Sequence, residues 1–148
     1  MNVMEKAADI ENDTPAPDSD VLTGTKGAGK TILIVDDDAD TRWLLGHLLK
    51  SAGYEVQTAD YAEKAMILLY TLRPDAVLMD IRLPGMDGLQ LTRLIQLTSS
   101  KKVPIVAVSA GENEFSVQAA YEAGCDGYIA KPVNMRTFAA TVGQYLGK

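Results

Sequence analysis

The feature that most constrains this chain is a regular alternation of short apolar runs with segments of helical periodicity, which begins at residue 31. Four short runs rich in apolar residues predict β-strands at 32–35, 76–79, 104–108 and 127–130, and residues 54–58 give a weaker strand signal. The segments between and after them predict α-helices over 40–51, 61–72, 87–99, 113–123 and 134–146. Buried strands that alternate with helices are typical of a parallel sheet covered by helices on both faces.

Local boundary signals support these helices. Gly53 offers a stop for the first helix, and Arg73-Pro74 ends the second. Asp60 and Asn134 are the predicted N-caps of the second and fifth helices. Because crossovers between parallel strands are right-handed, few topologies remain. We therefore expect an α/β fold, the flavodoxin-like doubly wound five-stranded parallel sheet in the order 2-1-3-4-5, with five helices in a three-layer α/β/α arrangement.

Length and charge narrow the class of protein. The chain has 148 residues, the size of one ordinary domain, and a formal net charge of −6. This acidic balance argues against a surface that grips nucleic acid or an anionic membrane, because both require clustered Lys and Arg. The only cysteine is Cys125, which allows no internal disulfide and is expected to pack as a small apolar side chain. There is no signal peptide and no apolar stretch of roughly 20 residues, so we expect a soluble, cytoplasmic protein.

Two regions differ in composition. Residues 1–29 contain six acidic residues and two lysines, a net of −4, without sustained apolar periodicity. Such a segment buries too little surface to offset its ordering entropy, so we expect an acidic, disordered N-terminal tail. Residues 30–148 form the predicted domain.

Polar residues of three kinds follow the predicted strands. In an open α/β sheet, ligands bind beyond the carboxyl ends of the strands, where the strand order reverses. In the order 2-1-3-4-5 this point lies between the first and third strands. The polar residues at these strand ends are Asp36, Asp37, Asp38, Asp80, Ser109 and Lys131. The topology thus brings carboxylates, a hydroxyl and an ammonium group to one edge of the sheet.

This set of side chains suits the chemistry of a phosphoryl group. Crowded carboxylates raise one another's pKa, and a divalent cation relieves the repulsion. Mg²⁺ prefers such oxygen ligands and is usually held by one or two carboxylates and a phosphate. Lys131 offers a positive charge and Ser109 a hydroxyl donor to phosphoryl oxygens. A carboxylate such as Asp80 can act as the nucleophile that forms an acyl phosphate.

Four sequence strings resemble the response-regulator receiver family: VDDDAD (35–40), DAVLMDIRLPGMDG (75–88), PIVAVSA (104–110) and GYIAKP (127–132). The resemblance covers about residues 30–147. It implies that Asp36, Asp37, Asp80 and the backbone carbonyl of Arg82 hold Mg²⁺, and that Asp80 accepts the phosphoryl group. Ser109 and Lys131 would contact the phosphoryl oxygens, and Tyr128 would change rotamer together with Ser109. The Lys131–Pro132 peptide bond would be cis.

The resemblance also implies a function. We expect a stand-alone, single-domain response regulator of a two-component phosphorelay that accepts a phosphoryl group from a histidine kinase or a histidine phosphotransfer protein. It would be a switch and not an enzyme, catalysing only its own phosphotransfer and autodephosphorylation. No output domain follows residue 148 in this sequence, so we expect output through a downstream protein target, with no nucleic acid or membrane as partner. The switching surface would comprise the fourth helix, the fifth strand and the fifth helix.

Trp43 and His47 share one face of the first predicted helix, four residues apart. The core stripe of this helix runs through Leu44, Leu45 and Leu48, which places Trp43 and His47 at an outward or boundary position. In the receiver family this helix contributes to docking of the kinase, so both residues are candidates for that contact. The alternative is a tryptophan that lies flat on its own domain.

Three other functions compete with this interpretation. Residues 24–31, GTKGAGKT, match a phosphate-binding P-loop pattern, but a strand follows where that motif requires a helix. A phosphohydrolase of the haloacid dehalogenase type needs D-x-D-x-[TV], and Asp36, Asp38 and Asp40 have the spacing, but position 40 should be Thr or Val. A non-switching module would lack an Asp, the Ser/Thr or the Lys of the site, and none is missing.

Overall fold

The computed structural model describes residues 29–83, 87–99, 102–110 and 114–146. In these ranges five parallel strands form one sheet in the order β2-β1-β3-β4-β5, which confirms the predicted topology. The strands are β1 Thr31–Val35, β2 Glu55–Ala59, β3 Ala76–Met79, β4 Ile105–Ser109 and β5 Gly127–Ala130. The helices are α1 Ala39–Ser51, α2 Ala62–Leu72, α3 Gly88–Thr98, α4 Glu114–Ala123 and α5 Phe138–Leu146.

Most helix boundaries agree with their sequence signals. After α1, Gly53 has a φ of +96°, in the region that glycine adopts most readily. Arg73 ends α2 in the left-handed conformation with a φ of +49°, directly before Pro74. Asp87 caps α3 in a capping box, where its side chain accepts from the N–H of Gln90 and the Gln90 side chain accepts from the N–H of Asp87.

One predicted cap is wrong, and the last helix begins later than predicted. The N-cap of α2 is Tyr61, not Asp60, and its side chain makes no capping hydrogen bond. The last helix begins at Phe138, not at residue 134, because residues 135–137 form a turn. Asn134 supports that turn: its side-chain oxygen accepts from the N–H of Arg136, and its carbonyl accepts from the N–H of Phe138. Asn134 thus forms the bonds of an N-cap, but residues 135–137 close as a turn before the regular helix begins.

The core consists of two apolar layers, one on each face of the sheet. Alternate residues of each strand point to opposite layers, as Leu33 and Ile34 in β1 show. Helices α2, α3 and α4 cover one layer, and α1 and α5 cover the other. Since β1, β3 and β4 are buried on both faces, they read in the sequence as continuous apolar runs, whereas the edge strand β2 is partly exposed.

Several predictions fall outside the described residues. The expected N-terminal tail lies there apart from Gly29, and so do residues 24–28 of the P-loop pattern. The last residue of the P-loop pattern, Thr31, begins strand β1 rather than a helix, as the sequence indicated. Among the described helices, none has both the length and the apolar character needed to cross a membrane.

Candidate functional site at the carboxyl edge of the sheet

Strand register brings Asp36 and Asp80 together. Val35 of β1 is paired with Met79 of β3, so the aspartates that follow them leave the sheet side by side. The N–H of Asp80 donates to the carbonyl of Val35 at 2.9 Å, which extends the pairing by one residue. Carboxylate oxygens of Asp36, Asp37 and Asp80 all lie within 4.8 Å of one another. Asp36 and Asp80 are buried, whereas Asp37 is exposed.

Lys131 places its ammonium group between the two buried carboxylates. Ser109 is paired with Ala130 of β5, and the N–H of Lys131 donates to the Ser109 carbonyl at 2.9 Å. The Nζ atom of Lys131 lies 2.7 Å from Oδ2 of Asp36 and 3.7 Å from Oδ2 of Asp80. Ser109, the last residue of β4 rather than the first residue beyond it, is fully buried. The peptide bond between Lys131 and Pro132 is cis.

The charges of the site are imperfectly balanced. Burial raises the pKa of the Asp80 carboxyl, and the charges of Asp36 and Asp37 raise it further, against the opposing effects of the Arg82 N–H and Lys131. Burial of Lys131 disfavours its charged form, but the hydrogen bond to Asp36 and the charge of Asp80 outweigh this, so the pKa of Lys131 is raised. One ammonium group thus faces three carboxylates, and the site favours an additional cation.

Asp38 plays a different part from its two neighbours. It is the N-cap of α1, and its side chain accepts from the Thr41 N–H at 3.2 Å and from the Thr41 hydroxyl at 2.6 Å. The bond from the Thr41 side chain holds the pKa of the exposed Asp38 carboxyl below its usual value. Asp38 therefore does not join the carboxylate cluster, in agreement with its omission from the predicted ligands.

A divalent cation fits this donor set. Three carboxylates with oxygens within 4.8 Å of one another provide the hard oxygen ligands that Mg²⁺ prefers. The backbone of Arg82 lies at the same place, because its N–H donates to Oδ1 of Asp80 at 3.0 Å. The residues that would hold the ion are Asp36, Asp37, Asp80 and the Arg82 carbonyl.

Sequence reasoning missed two residues that shape the site. A Cβ atom at Gly88 would overlap the backbone of Asp80 and Ile81, above all the Asp80 carbonyl oxygen, so only glycine allows α3 to start there. Arg42 of α1 donates from Nη1 to the backbone carbonyl of Asp36 at 2.9 Å. The glycine after Asp87 was a readable signal, whereas nothing in the local pattern marked Arg42.

Tyr128 lies on β5 beside Ala107 of β4, and its ring packs against the core layer under α2, α3 and α4. Its hydroxyl is buried, and within the described part of the chain it has no hydrogen-bond partner. A buried hydroxyl without a partner is costly, so this rotamer of Tyr128 is held at the expense of stability.

Trp43 and His47 do lie on the outer face of α1. Their rings stack in parallel with centroids 5.3 Å apart, and the Trp43 side chain is 69% exposed. Trp43 therefore rests on His47 instead of lying flat over the sheet.

Comparison with known proteins agrees with this geometry. A family model described as the response regulator receiver domain matches residues 32–143. The phosphate regulon transcriptional regulatory protein PhoB of Pseudomonas aeruginosa is 38% identical over 114 residues, which cover 76% of this chain and 49% of PhoB. The polar-differentiation response regulator DivK of Brucella anthropi is 32% identical over 119 residues, which cover 80% of this chain and 97% of DivK. The chain thus matches about half the length of PhoB and nearly all of DivK.

A solved structure of the Vibrio cholerae chemotaxis protein CheY4 superposes with a TM-score of 0.75 at 28% identity, covering 80% of this chain and 99% of CheY4. The fold and the edge at which the carboxylates gather therefore define a receiver domain. The chain belongs to the response regulator receiver domain family of two-component systems.

Proposed function

We propose that this protein is a phosphorylation-dependent switch that accepts a phosphoryl group on Asp80 from a histidine kinase or a histidine phosphotransfer protein. The observation that carries the proposal is the position of Asp80 within 4.8 Å of the carboxylates of Asp36 and Asp37, with the Lys131 ammonium 3.7 Å from its Oδ2. These are the parts that phosphoryl transfer requires, since the reaction depends mainly on positioning and on neutralisation of charge.

Asp80 supplies the nucleophile. Its carboxylate oxygen forms a new bond to phosphorus as the bond from phosphorus to the donor, a histidine nitrogen or acetate, breaks with the electron pair on the leaving group. Lys131 stabilises negative charge on the phosphoryl oxygens, and the Ser109 hydroxyl donates to one of them. Bound Mg²⁺ would supply further charge neutralisation, held by Asp36, Asp37, Asp80 and the Arg82 carbonyl. Hydrolysis of the acyl phosphate by water resets the switch.

The signal leaves the site through Tyr128 in this proposal. Ser109 and Tyr128 lie on the neighbouring strands β4 and β5, so movement of Ser109 toward a phosphoryl group changes the space beside Tyr128. Because the buried Tyr128 hydroxyl has no hydrogen-bond partner in the described residues, its present rotamer is only weakly stabilised. A shift in this rotamer equilibrium changes the face formed by α4, β5 and α5, where the Tyr121 side chain of α4 is exposed and available to a downstream protein.

The stacked pair of Trp43 and His47 is the proposed contact with the kinase. An exposed tryptophan in a rigid stack offers a large apolar surface with little side-chain entropy to lose on binding. Trp43→Ala is expected to slow phosphotransfer from a cognate kinase by about tenfold, the effect of losing a binding contact of roughly 1.4 kcal/mol. Phosphorylation by acetyl phosphate should be unchanged in the same variant. An unaltered rate with the kinase would remove Trp43 from the docking surface.

The first experiment is intact-mass measurement after incubation with acetyl phosphate, with and without Mg²⁺, for the wild type and Asp80→Asn. One Mg²⁺-dependent phosphoryl adduct, present in the wild type and absent from Asp80→Asn, is the expected result. Asp75→Asn is the matched control, because Asp75 precedes strand β3 while Asp80 follows it. An adduct that persists in Asp80→Asn would reject Asp80 as the acceptor, and its absence from the wild type would reject phosphorylation by small donors.

A further inference from the structure

The feature that the proposed mechanism does not use is Arg42, a half-buried residue in the first turn of α1. Its guanidinium Nη1 donates to the backbone carbonyl of Asp36 at 2.9 Å, and its own backbone N–H donates to the carbonyl of Asp38 at 3.0 Å. Arg42 therefore contacts the loop between β1 and α1 at both ends of Asp37.

Three side-chain interactions fasten this loop. Besides the Arg42 bond, Oδ1 of Asp36 accepts from the N–H of Asp38 at 2.9 Å. The Asp38 carboxylate in turn accepts from both the N–H and the hydroxyl of Thr41. Asp36 is bonded to Arg42 and to Asp38, and Asp38 is bonded to Thr41. The backbone between Asp36 and Asp38 therefore has little conformational freedom.

Asp37 depends on this fastening more than its neighbours do. Asp36 is held by Lys131, and Asp80 by the Arg82 N–H, whereas no group in the described residues forms a hydrogen bond with the exposed Asp37 carboxylate. Its place within the carboxylate cluster is set by the loop backbone alone. The positive charge of Arg42 by itself opposes a cation at the rim of the cluster, so any gain in cation affinity from Arg42 has to come from the position of the loop.

We infer that Arg42 is a positioning residue for the divalent cation: it holds the loop at Asp36 so that Asp37 points into the site. The inference rests on the proposed Mg²⁺ site. Removal of a group that orients a metal ligand in this way typically lowers the metal affinity by about 10- to 100-fold. Arg42→Met should therefore raise the Mg²⁺ dissociation constant by about tenfold, while the retained aliphatic stem preserves the packing of α1.

The test is a titration of the full chain with MgCl₂. NMR chemical shifts of the backbone amides of residues 36–38 and 80–82 monitor binding at each Mg²⁺ concentration. Lys50→Met is the matched control, because it removes the same charge from the exposed last turn of the same helix. Arg42→Lys, which keeps the charge and one donor, should recover part of the lost affinity. Thermal unfolding without Mg²⁺ checks that each variant is folded, and if Arg42→Met fails, the neutral Arg42→Gln provides the same comparison.

A double-mutant cycle separates positioning from general damage. If Arg42 acts through Asp37, the Arg42→Met substitution should weaken Mg²⁺ binding much less in the Asp37→Asn background than in the wild type. The inference would be overturned if Arg42→Met and Lys50→Met bound Mg²⁺ with equal affinity. It would also be overturned if Arg42→Met lowered the Mg²⁺ affinity equally in the wild-type and Asp37→Asn backgrounds. A wild-type protein that binds no Mg²⁺ at these amides would instead overturn the proposed metal site itself.

Discussion

Aspartates lie at both edges of the sheet, and the two edges use them in opposite ways. At the amino edge, Asp75 accepts from the N–H of Thr31 at 2.7 Å, and Asp126 accepts from the N–H of Ile105 at 2.9 Å. Each of these carboxylates caps the first residue of a neighbouring strand. Asp126 also lies 3.7 Å from Lys102. They are structural residues whose charge is matched to a local donor.

At the carboxyl edge, Asp36, Asp37 and Asp80 face one another, and Lys131 is the one cation paired with them in the described structure. Their arrangement costs stability in the absence of a ligand, as the raised pKa of Asp80 indicates. The comparison teaches that the hydrogen-bond donors around a carboxylate, and not the presence of an acidic residue, distinguish a structural carboxylate from a functional one. Substitution of an aspartate should therefore lower the free energy of unfolding at the amino edge and raise it at the carboxyl edge.

The largest effect is expected at Lys131. Lys131→Met leaves Asp36 buried with its main cationic partner removed, and should lower the free energy of unfolding at pH 7 by about 3 kcal/mol. Mg²⁺ should restore part of this loss. Because the pKa of Lys131 is raised on folding, its contribution is complete below about pH 10 and is lost as the pH rises through the raised value.

Urea denaturation of Lys131→Met, with and without Mg²⁺, measures this change. The control is Lys102→Met, which removes the exposed cation beside Asp126 and should cost less than about 1 kcal/mol. If the two lysine substitutions lowered the free energy of unfolding equally, the proposed difference between the two edges of the sheet would be wrong.

At the amino edge, Asp126→Ala should lower the free energy of unfolding by about 2 kcal/mol, because it leaves the partly buried N–H of Ile105 without its acceptor. Asp126→Asn, which retains a side-chain oxygen, should cost less. Chemical denaturation without Mg²⁺ checks both variants. An Asp126→Ala protein as stable as the wild type would contradict a structural role for this carboxylate.

At the carboxyl edge, Asp80→Asn should raise the free energy of unfolding at pH 7 by about 1 kcal/mol, the usual size of a stabilising substitution. Since the folded-state pKa of Asp80 is raised, its ionisation opposes folding, so the advantage of Asn should grow as the pH rises from about 4 through the raised pKa. Thermal unfolding as a function of pH, without Mg²⁺, measures it. A destabilised Asp80→Asn protein would mean that the carboxylate is already well compensated.

The smallest effect is expected at Tyr128. Tyr128→Phe removes a buried hydroxyl that lacks a partner in the described structure, so stability should rise by about 0.5–1 kcal/mol. Tyr145→Phe is a control on the neighbouring helix α5, where the tyrosine is partly exposed. Differential scanning calorimetry resolves a change of this size, and a loss of stability would show that the hydroxyl has a partner such as water.

Much of the fold was predictable because its signals are local. The apolar runs of β1, β3 and β4, the glycine at position 53 and the helix stop at Arg73-Pro74 act through neighbouring residues. The predicted starts of two helices were less accurate, at Asp60 and at Asn134. At Asn134 a side-chain bond to the Arg136 N–H forms a turn, and the helix starts four residues later than predicted.

By itself, the sequence determined which side chains reach the carboxyl edge, because strand ends and the topology of a doubly wound sheet follow from periodicity and handedness. Only the tertiary structure decided how those side chains share their donors. Lys131 is 95 residues from Asp36 in the chain and yet pairs with it more closely than with Asp80. Arg42 contacts Asp36 only six residues away, yet no local pattern marks this contact, because it depends on the path that the loop between β1 and α1 takes.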